Sequence, residues 1–151
     1  ITAYFKDFEV NQSDYSSILK SNSLTSTGND VISALTKSYD SYGPKADGDT
    51  ALRGWSLIYI SNPSSVARIY DINIKICTKD VESKDKHDIC ASSEEALVLP
   101  AGSEAYLGKQ PLMNIKFPRP GQYEFYVSSS IRAEDTTTFF TSTSPGSAEV
   151  K

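Results

Sequence analysis

Apolar and polar residues alternate along much of the chain, which is the pattern of a β-strand with one buried face. In segment 68–77, Tyr70, Ile72, Ile74 and Ile76 fall on one face, and Asp71, Asn73 and Lys75 fall on the other. Segment 54–61 is apolar on both faces, which predicts a strand near the middle of a sheet. Asn62-Pro63-Ser64-Ser65 lies between them and predicts a turn. We therefore expect the two segments to form a hairpin at the core.

The same pattern predicts further strands over 1–10, 97–99, 105–107, 113–117, 123–128 and 136–143. Segment 29–39 is predicted as a short helix, because Val31, Ile32, Leu35 and Tyr39 are spaced by three and four residues. A strand that uses Val31, Ser33, Leu35 and Tyr39 is the alternative. Segment 13–26 has the apolar residues for only a short helical turn or a strand.

Seven or eight short strands without a regular strand and helix alternation predict an all-β fold, an antiparallel β-sandwich. The 151 residues fit one domain. We divide the chain into an N-terminal strand at 1–12, which could pair with a neighbouring subunit, a sandwich domain at 13–143, and a polar C-terminal tail at 144–151.

Charge and hydropathy exclude two classes of partner. The net charge is −4 and the lysines and arginines are scattered, so no basic stripe for nucleic acid is expected. No apolar run approaches the roughly 18 to 20 residues of a membrane-spanning helix, so we expect no membrane span in this chain.

Cys77 and Cys90 end one predicted strand and precede the next, on either side of a polar segment. We predict a disulfide between them, closing a loop of about 15 residues and contributing about 3 kcal/mol in the chain-entropy treatment. Two free thiols in a reducing compartment are the alternative. A bridge indicates an oxidising environment, and we expect an extracytoplasmic protein, secreted or at the cell surface.

The chain offers little catalytic chemistry. Its single histidine, His87, lies in the charged segment after Cys77, away from any evident nucleophile. Glu94, Glu95, Glu104 and Glu124 are candidate carboxylates for glycoside hydrolysis, but no spacing places two of them across a cleft. We expect no enzyme activity.

Two short motifs are candidate sites, one for binding calcium and one for N-glycosylation. Asp47 and Asp49 flank Gly48 in a loop whose oxygens could bind calcium, although the spacing falls short of an EF-hand and a plain turn is the alternative. No other cofactor is expected. Asn11-Gln12-Ser13 is an acceptor pattern for N-glycosylation at Asn11, which has meaning only in a glycosylating secretory route.

The second half resembles secreted immunoglobulin-like and fibronectin-type modules. The resemblance rests on Ile60-Ser-Asn-Pro63, Leu97-Val-Leu-Pro-Ala-Gly102 and Phe117-Pro-Arg-Pro-Gly-Gln-Tyr-Glu-Phe-Tyr-Val127. It implies an immunoglobulin-like or jelly-roll-like sandwich with at most one or two short helices, and makes Tyr123 the corner tyrosine of such domains. The cysteines depart from the antibody pattern, because they clip a loop instead of joining two sheets.

The N-terminal segment is similar, more loosely, to that of donor-strand filament subunits of the biofilm-fibre and archaeal cannula or thread kinds. That resemblance implies a strand that completes a neighbour's sheet, with Tyr4, Phe5, Phe8 and Val10 entering pockets. The alternative is that the segment is the domain's own first strand.

We therefore expect a non-enzymatic structural subunit of a cell-surface or extracellular, filament-like assembly, whose main partner is itself. The alternative is a monomeric secreted binding module that recognises carbohydrate or a protein ligand through loops at one end of the sandwich.

Overall fold

The structure is a computed structural model and describes residues 2–19, 23–25, 31–39, 49–79, 88–116, 121–137 and 139–150. In these ranges the chain forms nine strands and one helix, in the order β1 (Thr2–Phe8), α1 (Gln12–Leu19), β2 (Ser23–Thr25), β3 (Val31–Tyr39), β4 (Asp49–Ser61), β5 (Arg68–Lys79), β6 (Asp88–Leu99), β7 (Glu104–Lys116), β8 (Gly121–Ala133) and β9 (Phe140–Val150). No helix in the described part is long and apolar enough to cross a membrane.

The strands form two sheets that pack face to face. The first sheet has the order β1-β7-β4-β3-β2, and the second has the order β6-β5-β8-β9. Every neighbouring pair is antiparallel. The predicted all-β antiparallel sandwich with at most one or two short helices is confirmed.

The predicted hairpin of segments 54–61 and 68–77 is wrong. β4 lies in the middle of the first sheet and β5 lies in the second, so the two strands do not pair; across the core β4 packs against β8, and β5 packs against β7. Residues 62–67 carry the chain between the sheets, and buried Asn62 fixes this corner by donating from Nδ2 to the carbonyl oxygens of Val66 and Leu99, each at 3.0 Å. Placing the two strands in opposite sheets buries one apolar face of each in the core between the sheets.

Two apolar clusters fill the space between the sheets. One is built around Ile58, Ile72 and Ile131, and the other around Leu52, Ile76 and Phe125. The alternation read in β5 is confirmed, because Tyr70, Ile72, Ile74 and Ile76 are all buried.

A buried hydroxyl cluster of Thr36, Ser56 and Ser129 also lies in the interior. Thr36 Oγ1 is 3.2 Å from Ser129 Oγ and 3.4 Å from Ser56 Oγ. The sheets approach closely near this level, since a Cβ on Gly54 would stand 2.6 Å from Val127 Cγ2.

The helix predicted over 29–39 is wrong, because the described part of this segment, Val31–Tyr39, is strand β3. Ile32 and Ala34 face the core between the sheets, while Val31 and Leu35 pack beneath α1 with Tyr15. A strand covered on both faces is apolar on both, and here its apolar residues happened to reproduce a helical spacing.

Helix α1 covers the outer face of the first sheet and begins at an N-cap, Asn11, whose Oδ1 accepts the Ser13 N–H at 3.2 Å. Its fully buried Tyr15 donates its hydroxyl to the Leu107 carbonyl oxygen at 2.6 Å. Burial raises the pKa of Tyr15 to about 12.

Two other predictions need correction. The strand predicted at 105–107 and the described part of the strand predicted at 113–117 belong to one strand, β7, which ends at Lys116. The predicted tail at 144–151 instead continues β9 as far as Val150. Its polar residues pair with β8, and Ser38 of β3 donates to the carbonyl oxygens of Ser144 and Pro145, at 3.0 and 2.8 Å.

Candidate functional site

The outer edges of β1 and β6 lie on one side of the sandwich, which we call the open side. Each strand ends its sheet, so its outer edge has no paired strand in the described part of the chain. The other end of the second sheet is covered differently, because Thr36 and Ser38 of β3 donate their hydroxyls to carbonyl oxygens of β9. The open side therefore offers backbone donors and acceptors over two strands.

An ion cluster joins the two sheets at the open side. Lys109 of β7 reaches Asp7 of β1, with Nζ 2.8 Å from Oδ1, and also forms an ion pair with Glu95 of β6. The lysine side chain is only 11% exposed, whereas Asp7 is 75% exposed. Burial acts to lower the pKa of Lys109, but the hydrogen bonds and charges of the two carboxylates outweigh it and raise that pKa above its usual value.

A groove of about 290 Å³ lies beside this cluster, between β1 and β6. Its apolar lining comes from Phe5, Ile72 and Ile74, and Ser93 and Glu95 contribute polar groups. Phe5 packs against both core clusters, so the groove opens onto the core itself. An extended peptide at this edge could therefore place alternate side chains against apolar surface.

The four residues predicted for strand addition do not share one surface. Phe5 faces the core, whereas Tyr4 is 53% exposed and Phe8 lies over Gly108. Val10 follows the strand and packs against the cluster of Tyr15 and Tyr59. All of β1 pairs with β7 of its own chain, so in this structure the segment is the domain's first strand.

The predicted disulfide is present. Cys77 and Cys90 lie directly opposite each other on β5 and β6, with their Cα atoms 4.1 Å apart. The bridge joins the edge strand β6 to its neighbour β5, near the end of β5 and the beginning of β6.

The remaining predicted site residues are separate from the open side. Asn11 is exposed. Asp47 and His87 lie outside the described residues. Asp49 is the first residue of β4, but the structure does not describe its side chain. Among the described residues no group of three or more metal-binding side chains is found.

The four candidate carboxylates do not meet in one site. Glu94 and Glu95 are successive residues of β6, so they face opposite sides of the second sheet. Glu104 accepts the Tyr59 hydroxyl at 2.6 Å, and Glu124 is exposed on β8. The register of β5 separates Glu94 from Glu124 by six residues, roughly 20 Å.

Sequence reasoning missed the ion cluster, although one signal was available. In β7 the inward positions are Leu107, Lys109, Pro111, Met113 and Ile115, so the lysine occupies a core-facing place in an apolar series. Treating β7 as two strands hid this series. An inward-pointing charge near a sheet edge is a common means of controlling edge pairing.

No family model matches the chain, and a comparison with curated proteins finds no match. Partial likenesses to solved structures include a PapD-like domain of human CEP192 (9% identity, TM-score 0.38, 80% of this chain and 86% of that chain). A second is a β-glucuronidase of Bacteroides uniformis, with 10% identity and a TM-score of 0.43 over 76% of this chain and 12% of that chain. A third is AggA, the major subunit of aggregative adherence fimbriae type I from Escherichia coli, with 10% identity and a TM-score of 0.30 over 85% of this chain and 99% of that chain. The chain thus spans 12% of the length of the glucuronidase. Because these TM-scores are all below 0.5, we draw no conclusion about function from these structures.

Proposed function

We propose that the protein is a non-enzymatic structural subunit of an extracellular assembly, joined to its neighbours by β-strand addition at the open side. The observation that supports this most is the groove between β1 and β6, which combines two unpaired strand edges with an apolar floor. In strand addition, backbone hydrogen bonds supply affinity and side-chain pockets supply specificity. The open side has unpaired strand edges for the backbone hydrogen bonds and an apolar groove for the side chains.

The ion cluster suits a controlled association of this kind. Lys109 closes the groove by holding Asp7 and Glu95, and such inward charges discourage indiscriminate pairing with other chains. Both carboxylates are substantially exposed, at 75% and 45%, so water can solvate them when an arriving strand displaces these pairs.

The disulfide supports an extracytoplasmic location. Bridges persist in secreted and cell-surface proteins and are rare in the reducing cytosol. Here Cys77–Cys90 fastens β6, one of the two edges that the proposed assembly uses. An oxidising environment would therefore also keep this edge in place.

A charge placed in the groove tests the proposal. Ser93→Lys puts a long cationic side chain among Phe5, Ile72 and Ile74, where an added strand would place its own side chains. Ser147→Lys on the exposed part of β9 is the matched control, because it adds the same charge away from the open side. Sedimentation velocity over a range of concentrations and negative-stain electron microscopy measure the assembly.

We expect the wild type and Ser147→Lys to form larger species as concentration rises, while Ser93→Lys stays monomeric with an unchanged circular dichroism spectrum. Equal association of both variants would exclude the groove as the joining site. A wild type that remains monomeric at every concentration would exclude self-assembly altogether.

A further inference from the structure

The outward side of the second sheet has a concave cavity of about 810 Å³ that is separate from the open side. It is built on three cross-strand rows set by the strand register. One row is Ala96, Asp71 and Arg132, the next is Glu94, Asn73, Ser130 and Thr141, and the third is Ser92, Lys75 and Ser128. Three or four strands therefore contribute to each row, and their spacing is fixed by the sheet.

The polar groups of this cavity are held in position by one another. Arg132 Nη2 lies 2.9 Å from Asp71 Oδ2, and Asn73 Nδ2 donates to Glu94 Oε1 at 2.9 Å. Each pair uses only part of its hydrogen-bonding capacity, since a carboxylate can accept several bonds and a guanidinium can donate five. The buried Nε–H of Arg132 has no acceptor within the described ranges. Preoriented planar groups with spare donors and acceptors are therefore available to a ligand.

An exposed aromatic ring stands at the rim of the cavity. Phe139 is 56% exposed, and the guanidinium carbon of Arg132 lies 5.1 Å from its ring centroid. An exposed phenylalanine beside a polar cavity can serve as a stacking surface for a ligand with an apolar face. Farther along the same side of the sheet, Lys75 Nζ lies 5.9 Å from the Tyr126 ring centroid.

The charges of the lining decide the class of ligand. Lys75 and Arg132 stand against Asp71 and Glu94, because the side chain of Glu95 points to the other side of the sheet and pairs with Lys109, so the charges of the cavity balance. Arg132 is paired with Asp71, and the charges of Lys75 and Glu94 balance, so the described lining has no net positive charge to attract a phosphate or sulfate group. Ser92, Ser128, Ser130 and Thr141 contribute hydroxyl groups to the rest of the lining.

We propose that this cavity binds an uncharged oligosaccharide, with hydroxyl groups bonded by Asp71, Asn73, Glu94 and Arg132 and one sugar ring stacked on Phe139. A sugar presents hydroxyls at its rim and C–H groups on its face, and this combination complements planar polar side chains beside an aromatic ring. The proposal does not depend on assembly at the open side, since the two sites share only Ile72 and Glu95 among their lining residues.

Isothermal titration with neutral hexaoses tests it, using cellohexaose, xylohexaose, mannohexaose, maltohexaose, laminarihexaose and chitohexaose, with heparin as the anionic comparison. We expect the wild type to bind at least one neutral hexaose and Phe139→Ala to weaken that binding about tenfold. Tyr4→Ala is the matched control, because it removes an equally exposed aromatic ring, 53% exposed, from the other sheet. Its affinity should equal that of the wild type.

Asn73→Ala is a second test variant and should also weaken hexaose binding. A thermal unfolding curve of this variant shows whether it is folded. Ser93→Lys should bind the hexaose as the wild type does, which separates this site from the assembly. The proposal is overturned if no neutral hexaose binds, if heparin binds more tightly than all of them, or if Phe139→Ala retains wild-type affinity.

Discussion

Reduction of the Cys77–Cys90 bridge should destabilise the protein by an amount that the structure allows us to calculate. The cysteines are separated by 13 positions, and closing such a loop in the unfolded chain is worth about 3 kcal/mol in the chain-entropy treatment. For a chain of 151 residues this corresponds to a fall in melting temperature of roughly 6 to 12 °C.

The position of the bridge predicts where the loss is felt. β6 ends its sheet and is paired only with β5 in the described structure, so it depends on the bridge more than the central strands do. Reduction should raise the hydrogen-exchange rate of the β6 amides first, while β4 and β8 exchange as slowly as global unfolding allows.

Differential scanning calorimetry with and without a phosphine reductant measures the shift. The double variant Cys77→Ala/Cys90→Ala is the control, since it should melt at the reduced temperature and not respond to reductant. Alanine is chosen because Cys77 is fully buried and a serine would bury a hydroxyl there. If the melting temperature of the wild type is the same with and without the reductant, the predicted stabilisation by the bridge is wrong.

Three further perturbations test the packing, the helix and the ion cluster. Gly54→Ala should cost about 1–3 kcal/mol in urea unfolding, because its Cβ would stand 2.6 Å from Val127 Cγ2, and a cost near zero would contradict the close approach of the sheets. The raised pKa of Tyr15, about 12, means that stability is full below pH 10 and falls as pH rises towards 12, and Tyr15→Phe should reduce this fall. Lys109→Met should cost about 1 kcal/mol in low salt, with a smaller difference from wild type in high salt, and a difference independent of salt would refute an electrostatic role.

The sequence predicts the parts of the fold that rest on simple alternation. The buried face of β5 and the central position of β4 follow from residue pattern, and the disulfide follows from the placement of its two cysteines. Strand β3 was missed because it is covered on both faces, by α1 and by the core. The part of strand β9 after residue 143 was missed because its side chains pack against hydroxyl groups, so its sequence shows no apolar alternation.

Which strands pair, and therefore which edges are left open, is not encoded locally. The crossover at Asn62 looks like a hairpin turn in sequence, since the same turn residues serve either connection. The site on the open side brings together Asp7, Glu95 and Lys109 from three strands, and only the sheet order places them in contact. The cavity on the second sheet depends on register in the same way.

Hydrogen exchange with mass spectrometry, compared between dilute and concentrated protein, tests the proposed joining site most directly. Strand addition at the open side predicts that amides of β1 (Thr2–Phe8) and β6 (Asp88–Leu99) gain protection on assembly, while β9 exchanges at an unchanged rate. Protection gained on β9, with β1 and β6 unchanged, would contradict the account.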